Sequence, residues 1–316
     1  MDLKIVAKTE LALGAEATRK YLAAATSPAT ARAYRSDWAI FAAWCDQVGA
    51  ESLPATPATV ATFAAARADA GDKASTIERR MAAIAKAHKV AGSESPTRST
   101  EVRETMRGVR NLLTGATKKK DALDASRILA VLAATEGNYR GIRDRAVLSV
   151  GFVAGLRRAE IAALDLADLD FSPRGVVVTL RRSKTDQEGA GRPVEIAATG
   201  TATCPVAALL ARIAAAGIED GALFRELDRS GTRLQPGRMG AEAVSRMVKR
   251  LAKRAGLAGD FGGHSLRAGF ATSAIRSGVA REYVMRQGGW NSERIMRGYV
   301  RAAEAFAVNY SAMLGL

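Results

Sequence analysis

Apolar residues recur at helical intervals through most of this chain and switch to strand-like clustering only in its middle. Tyr34, Trp38, Phe41, Ala42 and Cys45 fall on one stripe of a helix that Gly49 can end. Thr56 followed by Pro57 reads as an N-cap with proline in the first helical position, and Val60 and Phe63 carry that helix towards Gly71. Ser75 and Glu78 have capping-box spacing ahead of Ile77, Met81, Ile84 and His88, with Gly92 closing the turn. Val102, Met106, Val109 and Leu113 predict a fourth helix. The four predict a helical domain over residues 27–114, preceded by an extension at 1–26.

Between Thr114 and Ala122 the periodicity stops, and residues 115–122 read as a linker. Its three lysines, Lys118 to Lys120, suit either a solvated connection or a phosphate contact. Beyond it, Asp124 can cap a helix carrying Ile128 and Leu132, and a strongly apolar helix runs from Ile142 to Gly155. Residues 175–180 are β-branched and predict a strand, with 192–198 as its partner and Lys184 at the hairpin mouth. Helices return at 205–216, 240–255, 265–277, 280–288 and 292–299. The expected fold is mainly α, with two domains: the helical one, then an α+β domain over 123–301 with a small antiparallel sheet. A last stripe of Ala303, Phe306, Tyr310, Met313 and Leu314 predicts a terminal helix over 302–316.

Charge adds a partner to this picture. The 316 residues hold 47 Lys and Arg against 32 Asp and Glu, a formal charge of +15 spread along the chain. An extended polyanion is the expected partner, with a merely soluble basic protein as the plainer reading. Two cysteines without a CxxC pattern suggest neither a disulfide framework nor a zinc site, and two histidines are few for a His-based metal centre. No metal or other cofactor is expected. No signal-like leader opens the chain and no apolar run reaches the roughly 18 residues of a membrane span, so a cytoplasmic, nucleoid-associated or plasmid-associated protein is expected.

Chemistry concentrates near the end. His264, Arg267, Trp290 and Tyr299 lie in one stretch, and the segment GLRRAE earlier supplies Arg157, Arg158 and Glu160. Cutting a phosphodiester through a protein nucleophile needs a hydroxyl to attack, fixed cations on the phosphate and a proton donor for the leaving oxygen. Tyr299 offers the hydroxyl, Arg267 a cation, and His264 and Trp290 hydrogen-bond donors, to which Arg157, Arg158 and Lys184 add further cations. Tyr283 and Tyr310 are rival hydroxyls, read as helix packing and as part of the terminal stripe. Trp290 suits either a core position or an indole N–H that donates to an oxygen.

GLRRAE, the RSK ending at Lys184, HSLR, GGW and a tyrosine nine positions after that Trp together resemble the tyrosine recombinase (phage integrase) family, and within it the Cre-like recombinases. The resemblance extends over most of the chain, including residues 43–60 and 75–99 of the helical domain. It implies that Arg157 and Arg267 grip the scissile phosphate while Tyr299 attacks, leaving a 3′-phosphotyrosyl link and a free 5′-hydroxyl. Lys184 would protonate the departing oxygen, His264 would bind the phosphate, and Trp290 would donate where many relatives carry His. Glu160 would orient a neighbouring side chain, or is an ordinary carboxylate.

The resemblance also implies double-stranded DNA with short inverted repeats as substrate, and a homotetramer on synapsed duplexes joined by exchange of the 302–316 helix. The alternative is that this helix folds back on its own domain. Arg79, Arg80, Lys86, Arg246, Lys249, Arg250 and Lys253 are the candidate DNA contacts, with Glu242 near a place where a relative has a base-reading arginine. About 26 residues precede the first core helix, too few for a further arm-binding domain. A type IB-like topoisomerase and a non-catalytic, sequence-specific DNA-binding protein are the competing functions.

Overall fold

In the computed structural model, residues 26–113, 120–181, 191–303 and 310–314 are described. The chain divides into two compact units, Met1–Thr117 and Lys118–Leu316.

The first unit consists of α1 (Pro28–Val48), α2 (Pro57–Asp69), α3 (Ala74–Val90) and α4 (Thr100–Leu112), with a 3₁₀ turn at Pro96–Arg98. Side-chain oxygens start three of the helices: Ser27 accepts from the Thr30 amide at 3.2 Å, Thr56 from Thr59 at 3.1 Å and Ser99 from Val102 at 3.2 Å. The capping box expected at Ser75 does not form. Lys73 occupies the N-cap, its carbonyl accepting from Thr76 and Ile77, which leaves Ser75 inside the first turn. Phe41, Val60, Phe63, Ile77 and Ile84 are fully buried, and the Phe41 and Phe63 rings meet edge to face at 5.0 Å.

His88 sits fully buried among them. Its Nε2 accepts from the Ala55 amide at 2.9 Å and its Nδ1 donates to the Ile84 carbonyl at 2.9 Å, which fixes one neutral tautomer. His88 is therefore a core histidine that holds the α1–α2 connection to α3.

In the second unit, α5 (Ala125–Ala133), α6 (Tyr139–Val153) and the short α7 (Arg158–Ala163) lead to a sheet of β1 (Leu169–Ser172), β2 (Gly175–Leu180) and β3 (Arg192–Ala197). Then come α8 (Pro205–Ala216), a hairpin of β4 (Arg225–Leu227) and β5 (Leu234–Arg238), α9 (Ala241–Arg254), α10 (Gly263–Arg276), α11 (Arg281–Gly288), α12 (Glu293–Ala303) and α13 (Tyr310–Met313). The three-stranded sheet is antiparallel in the order β1-β2-β3, with Val176 opposite Ile196 and Val178 opposite Val194. Val176, Val178, Leu180, Val194 and Ile196 face the core while Thr179, Pro193 and Glu195 face out, the alternation a half-buried sheet requires.

Residues 120–122, counted with the linker above, pack in this unit: the Asp121 amide donates to the Asp260 carbonyl at 3.0 Å, and Lys120 pairs with Asp260. α10 is buried on nearly every side, including Ser265, Leu266, Arg267, Gly269 and Thr272, and so carries its functional residues through the centre of the unit.

Replacing His88 by Leu should leave the Ala55 amide buried without an acceptor and cost about 1–3 kcal/mol of stability, read from the urea midpoint. An unchanged midpoint would mean that this hydrogen bond does not fasten the connection.

Candidate active site

The ends of helices bring the site together. α6 ends at Val153, and its successor α7 begins at Arg158, leaving Arg157 at the N-cap with extended backbone. Glu160, buried in the first turn of α7, accepts from the Arg157 amide at 2.8 Å and from the Arg157 guanidinium at 2.6 Å. One carboxylate thus caps the helix and aims the arginine, and Glu160 is a positioned buried group rather than an ordinary surface carboxylate.

Arg267 is only 2% exposed. Its Nη1 donates to the Gly155 carbonyl at 2.5 Å, just past the end of α6, and to the Gly288 carbonyl at the end of α11. The Trp290 ring lies across the guanidinium, 3.8 Å from its central carbon. Nη2 is buried with no hydrogen-bond partner among the described residues. Burial, and then repulsion from Arg157, pull the Arg267 pKa down to about 10, with Glu160 and Tyr299 opposing. The group stays cationic at neutral pH.

The GGW segment allows this contact. A Cβ on Gly288 would overlap ring carbons Cζ3 and Cε3 of Trp290, so only glycine lets the indole fold back onto the helix end. Gly289 closes α11 in the left-handed region at φ 66°. Trp290 also meets the Tyr299 ring edge to face at 5.4 Å, and the Tyr299 hydroxyl lies 3.3 Å from Nε2 of His264. Arg267, Trp290, Tyr299 and His264 therefore form one chain of contacts. Burial holds the Tyr299 phenol above its ordinary pKa, against the opposing pull of Arg267 and Arg157.

Lys184 lies outside the described residues. A cleft of about 290 Å³ opens beside His264, lined by Lys120, Arg158, Glu242, Ser245 and Lys249 among others. Arg158 pairs with Glu242 at 2.8 Å and donates to Ser245 at 3.2 Å, and the Gly263 amide at the start of α10 also donates to Ser245 at 3.2 Å. Among the described residues, no group of three or more His, Cys, Asp or Glu side chains could hold a metal ion, and no helix is long and apolar enough to cross a membrane.

The candidate DNA contacts divide by exposure. Lys86, Arg246, Lys249 and Lys253 are exposed. Arg79 is exposed but chelates Asp37 through Nε at 2.6 Å and Nη2 at 3.0 Å. Arg80 is a correction: it is 6% exposed and paired with Asp72 inside the unit, so it has no face to offer a phosphate. Arg250 is tied to the buried carboxylate of Asp144. Tyr283, expected to pack, is exposed on α11 with Arg286 5.2 Å above its ring. Met313 and Leu314 are exposed, while the side chain of Tyr310 lies outside the described residues.

Residues 121–305 match the phage integrase family, and residues 19–95 match its N-terminal SAM-like domain. The chain belongs to the phage integrase family. It is 34% identical over 286 residues to an integrase/recombinase XerD homolog of Selenomonas ruminantium, covering 89% of this chain and 83% of that protein. It is also 27% identical to the Cre recombinase of Escherichia phage P1, covering 83% and 80%. Among solved structures, XerH recombinase bound to palindromic difH in a post-cleavage complex superposes with a TM-score of 0.60 at 16% identity, covering 83% of this chain and 73% of that one. The Tn1549 transposon integrase with transposon right-end DNA gives 0.60 at 17% identity, covering 95% and 96%. These superpositions show a tyrosine recombinase fold, and both sequence relatives are recombinases.

An ultraviolet titration of the protein, with that of the Tyr299→Phe variant subtracted, should show the Tyr299 phenolate only above the ordinary tyrosine pKa of about 10. A transition below that value would mean that the two guanidiniums, not burial, dominate at the phenol.

Proposed function

We propose that this enzyme cuts and rejoins DNA strands at a specific duplex site through a covalent tyrosyl intermediate, as a Cre-like recombinase acting on short inverted repeats. The observation that carries the reading is the contact chain from the buried, half-satisfied guanidinium of Arg267 through Trp290 to the Tyr299 hydroxyl beside His264. A buried N–H donor next to a nucleophilic hydroxyl fits an anionic oxygen that gains charge during the reaction.

In this account Arg267 and Arg157 bind the non-bridging oxygens of the scissile phosphate. The Tyr299 oxygen attacks phosphorus in line and the bond to the 5′-oxygen breaks. The phenol proton leaves through His264 or solvent, and Lys184 returns a proton to the departing 5′-oxygen. The phosphotyrosyl ester keeps the bond energy, and a 5′-hydroxyl from another strand attacks it to reseal the backbone. Glu160 acts by aiming Arg157. Trp290 covers the Arg267 guanidinium and supports the Tyr299 ring.

Exposed Arg246, Lys249 and Lys253 on α9 and Lys86 on α3 are the proposed backbone and base contacts. Each phosphate they neutralise adds about 0.9 to the salt slope of binding. The exposed Met313 and Leu314 fit a terminal segment passed to a neighbouring subunit of a tetramer on two synapsed duplexes. The proposed setting is the cytoplasm, on the chromosome or a plasmid.

Rapid detergent lysis of cells carrying the wild-type protein should recover it covalently attached to DNA at one palindromic sequence, and the Tyr299→Phe variant should carry none. Arg157→Ala and Arg267→Ala should each lower the adduct yield by about 10²-fold or more. Dispersed adducts would point to a type IB-like topoisomerase. Tight binding without adducts would point to a DNA-binding protein and contradict the proposal.

A further inference from the structure

Arg192, the first residue of β3, attracts no attention in the sequence, yet it is bound to the same helix end as Arg267. Its Nη1 donates to the Arg286 carbonyl at 3.0 Å and to the Gln287 carbonyl at 2.6 Å. The next carbonyl, Gly288, is taken by Arg267. Three successive carbonyls at the C-terminus of α11, where the helix dipole is negative, are therefore held by two guanidiniums from different elements. The contact is close: a Cβ on Gly289 would lie 2.8 Å from the Arg192 Nε. A second tie runs parallel, since the Gln287 side-chain amide donates to the Glu195 carbonyl of β3 at 2.9 Å.

Like Arg267, Arg192 has an Nη2 that is buried without a hydrogen-bond partner among the described residues. Burial is also the main cause that pulls its pKa down, followed by the opposing influence of Glu160 and the further lowering by Arg157, which puts it within electrostatic reach of the site.

We propose that Arg192 is a positioning residue for strand cleavage: it fixes the α11 C-terminal turn on β3, so that the Gly288 carbonyl and Trp290 hold Arg267 in its reactive orientation. The inference rests on the cleavage reaction proposed above. Without the fork, the turn keeps its helix but can drift from β3, carrying the Arg267 acceptor and the indole with it. Displacements of about 1 Å in a positioned group can cost 10²-fold in rate.

The test uses a duplex of the sequence recovered by covalent trapping, nicked close to the scissile phosphate so that cleavage cannot reverse. The wild-type protein is compared with Arg192→Met and Arg192→Lys. As a control for burial alone, Arg212→Met removes a fully buried arginine of the same unit whose Nε donates to the Leu223 carbonyl. First-order formation of the covalent complex is followed at saturating protein, with affinity from gel shifts and melting temperature measured alongside. We expect affinity within about 2-fold for both Arg192 variants. The rate should fall about 10²-fold in Arg192→Met and about tenfold in Arg192→Lys, whose shorter side chain keeps a cationic donor but does not carry it to the place that the guanidinium Nη1 reaches.

The Arg212→Met protein should lose amplitude in proportion to its unfolded fraction while the surviving molecules react at the wild-type rate. The inference is overturned if the Arg192 variants also lose only amplitude, or if Arg212→Met slows the reaction equally. Absence of any covalent complex from the wild-type protein would sink the cleavage reading, and this inference with it; normal wild-type cleavage with unslowed Arg192 variants would sink this inference alone.

Discussion

The site depends on keeping the Arg267 guanidinium charged while almost none of it touches water. A cation in that position is costly unless its donors are engaged, and the protein engages them with backbone rather than carboxylates. The carbonyls of Gly155 and Gly288 take Nη1, the Trp290 face covers the plane, and Nη2 is left without a partner among the described residues. Carbonyls orient the group and leave its positive charge intact. The break after α6, the glycine pair before Trp290 and the burial of α10 can all be understood as consequences of that one placement.

The two arginines of the site are treated differently. Arg157 has its own carboxylate in Glu160, which also caps α7, so its direction is set locally by three residues of sequence. The orientation of Arg267 is set by elements far apart in the chain. This division explains why a short motif announces Arg157 so clearly, whereas the surroundings of Arg267 emerge only from the tertiary structure. The proposed nucleophile lies in the same packing: the Tyr299 ring meets the indole that covers Arg267, and burial raises the pKa of its phenol.

Much of the fold could be read along the chain because its helices begin with explicit signals. Thr56–Pro57, Asp124 and the apolar stripes placed most helices within about two residues, but α6 begins at Tyr139, ahead of the expected Ile142, α12 runs on to Ala303 beyond the expected 299, and the short α7 was not foreseen. Ser75 misled because a capping-box spacing also fits a serine inside the first turn. β1 and the β4–β5 hairpin were invisible: the first is four residues long with a mostly exposed face, and β5 contains Pro236 and Gly237. Of the site, Arg157, Glu160, His264, Arg267, Trp290 and Tyr299 were named from their chemistry and their motif, and the fold brings them together. Arg80 was misjudged because a basic residue on a helix carries no mark of whether a carboxylate such as Asp72 waits across the fold. Arg192 was missed because its partners are backbone carbonyls, which no side-chain pattern reveals.

The central claim, that Tyr299 forms the bond to DNA, is tested most directly by locating that bond. Covalent complexes are digested with nuclease and trypsin, and the peptide carrying a residual nucleotide is sequenced by mass spectrometry. The account predicts a nucleotide joined through its 3′-phosphate to Tyr299, with a 5′-hydroxyl on the released strand. A nucleotide on Tyr283 or Tyr310, or a linkage through a 5′-phosphate, would contradict it.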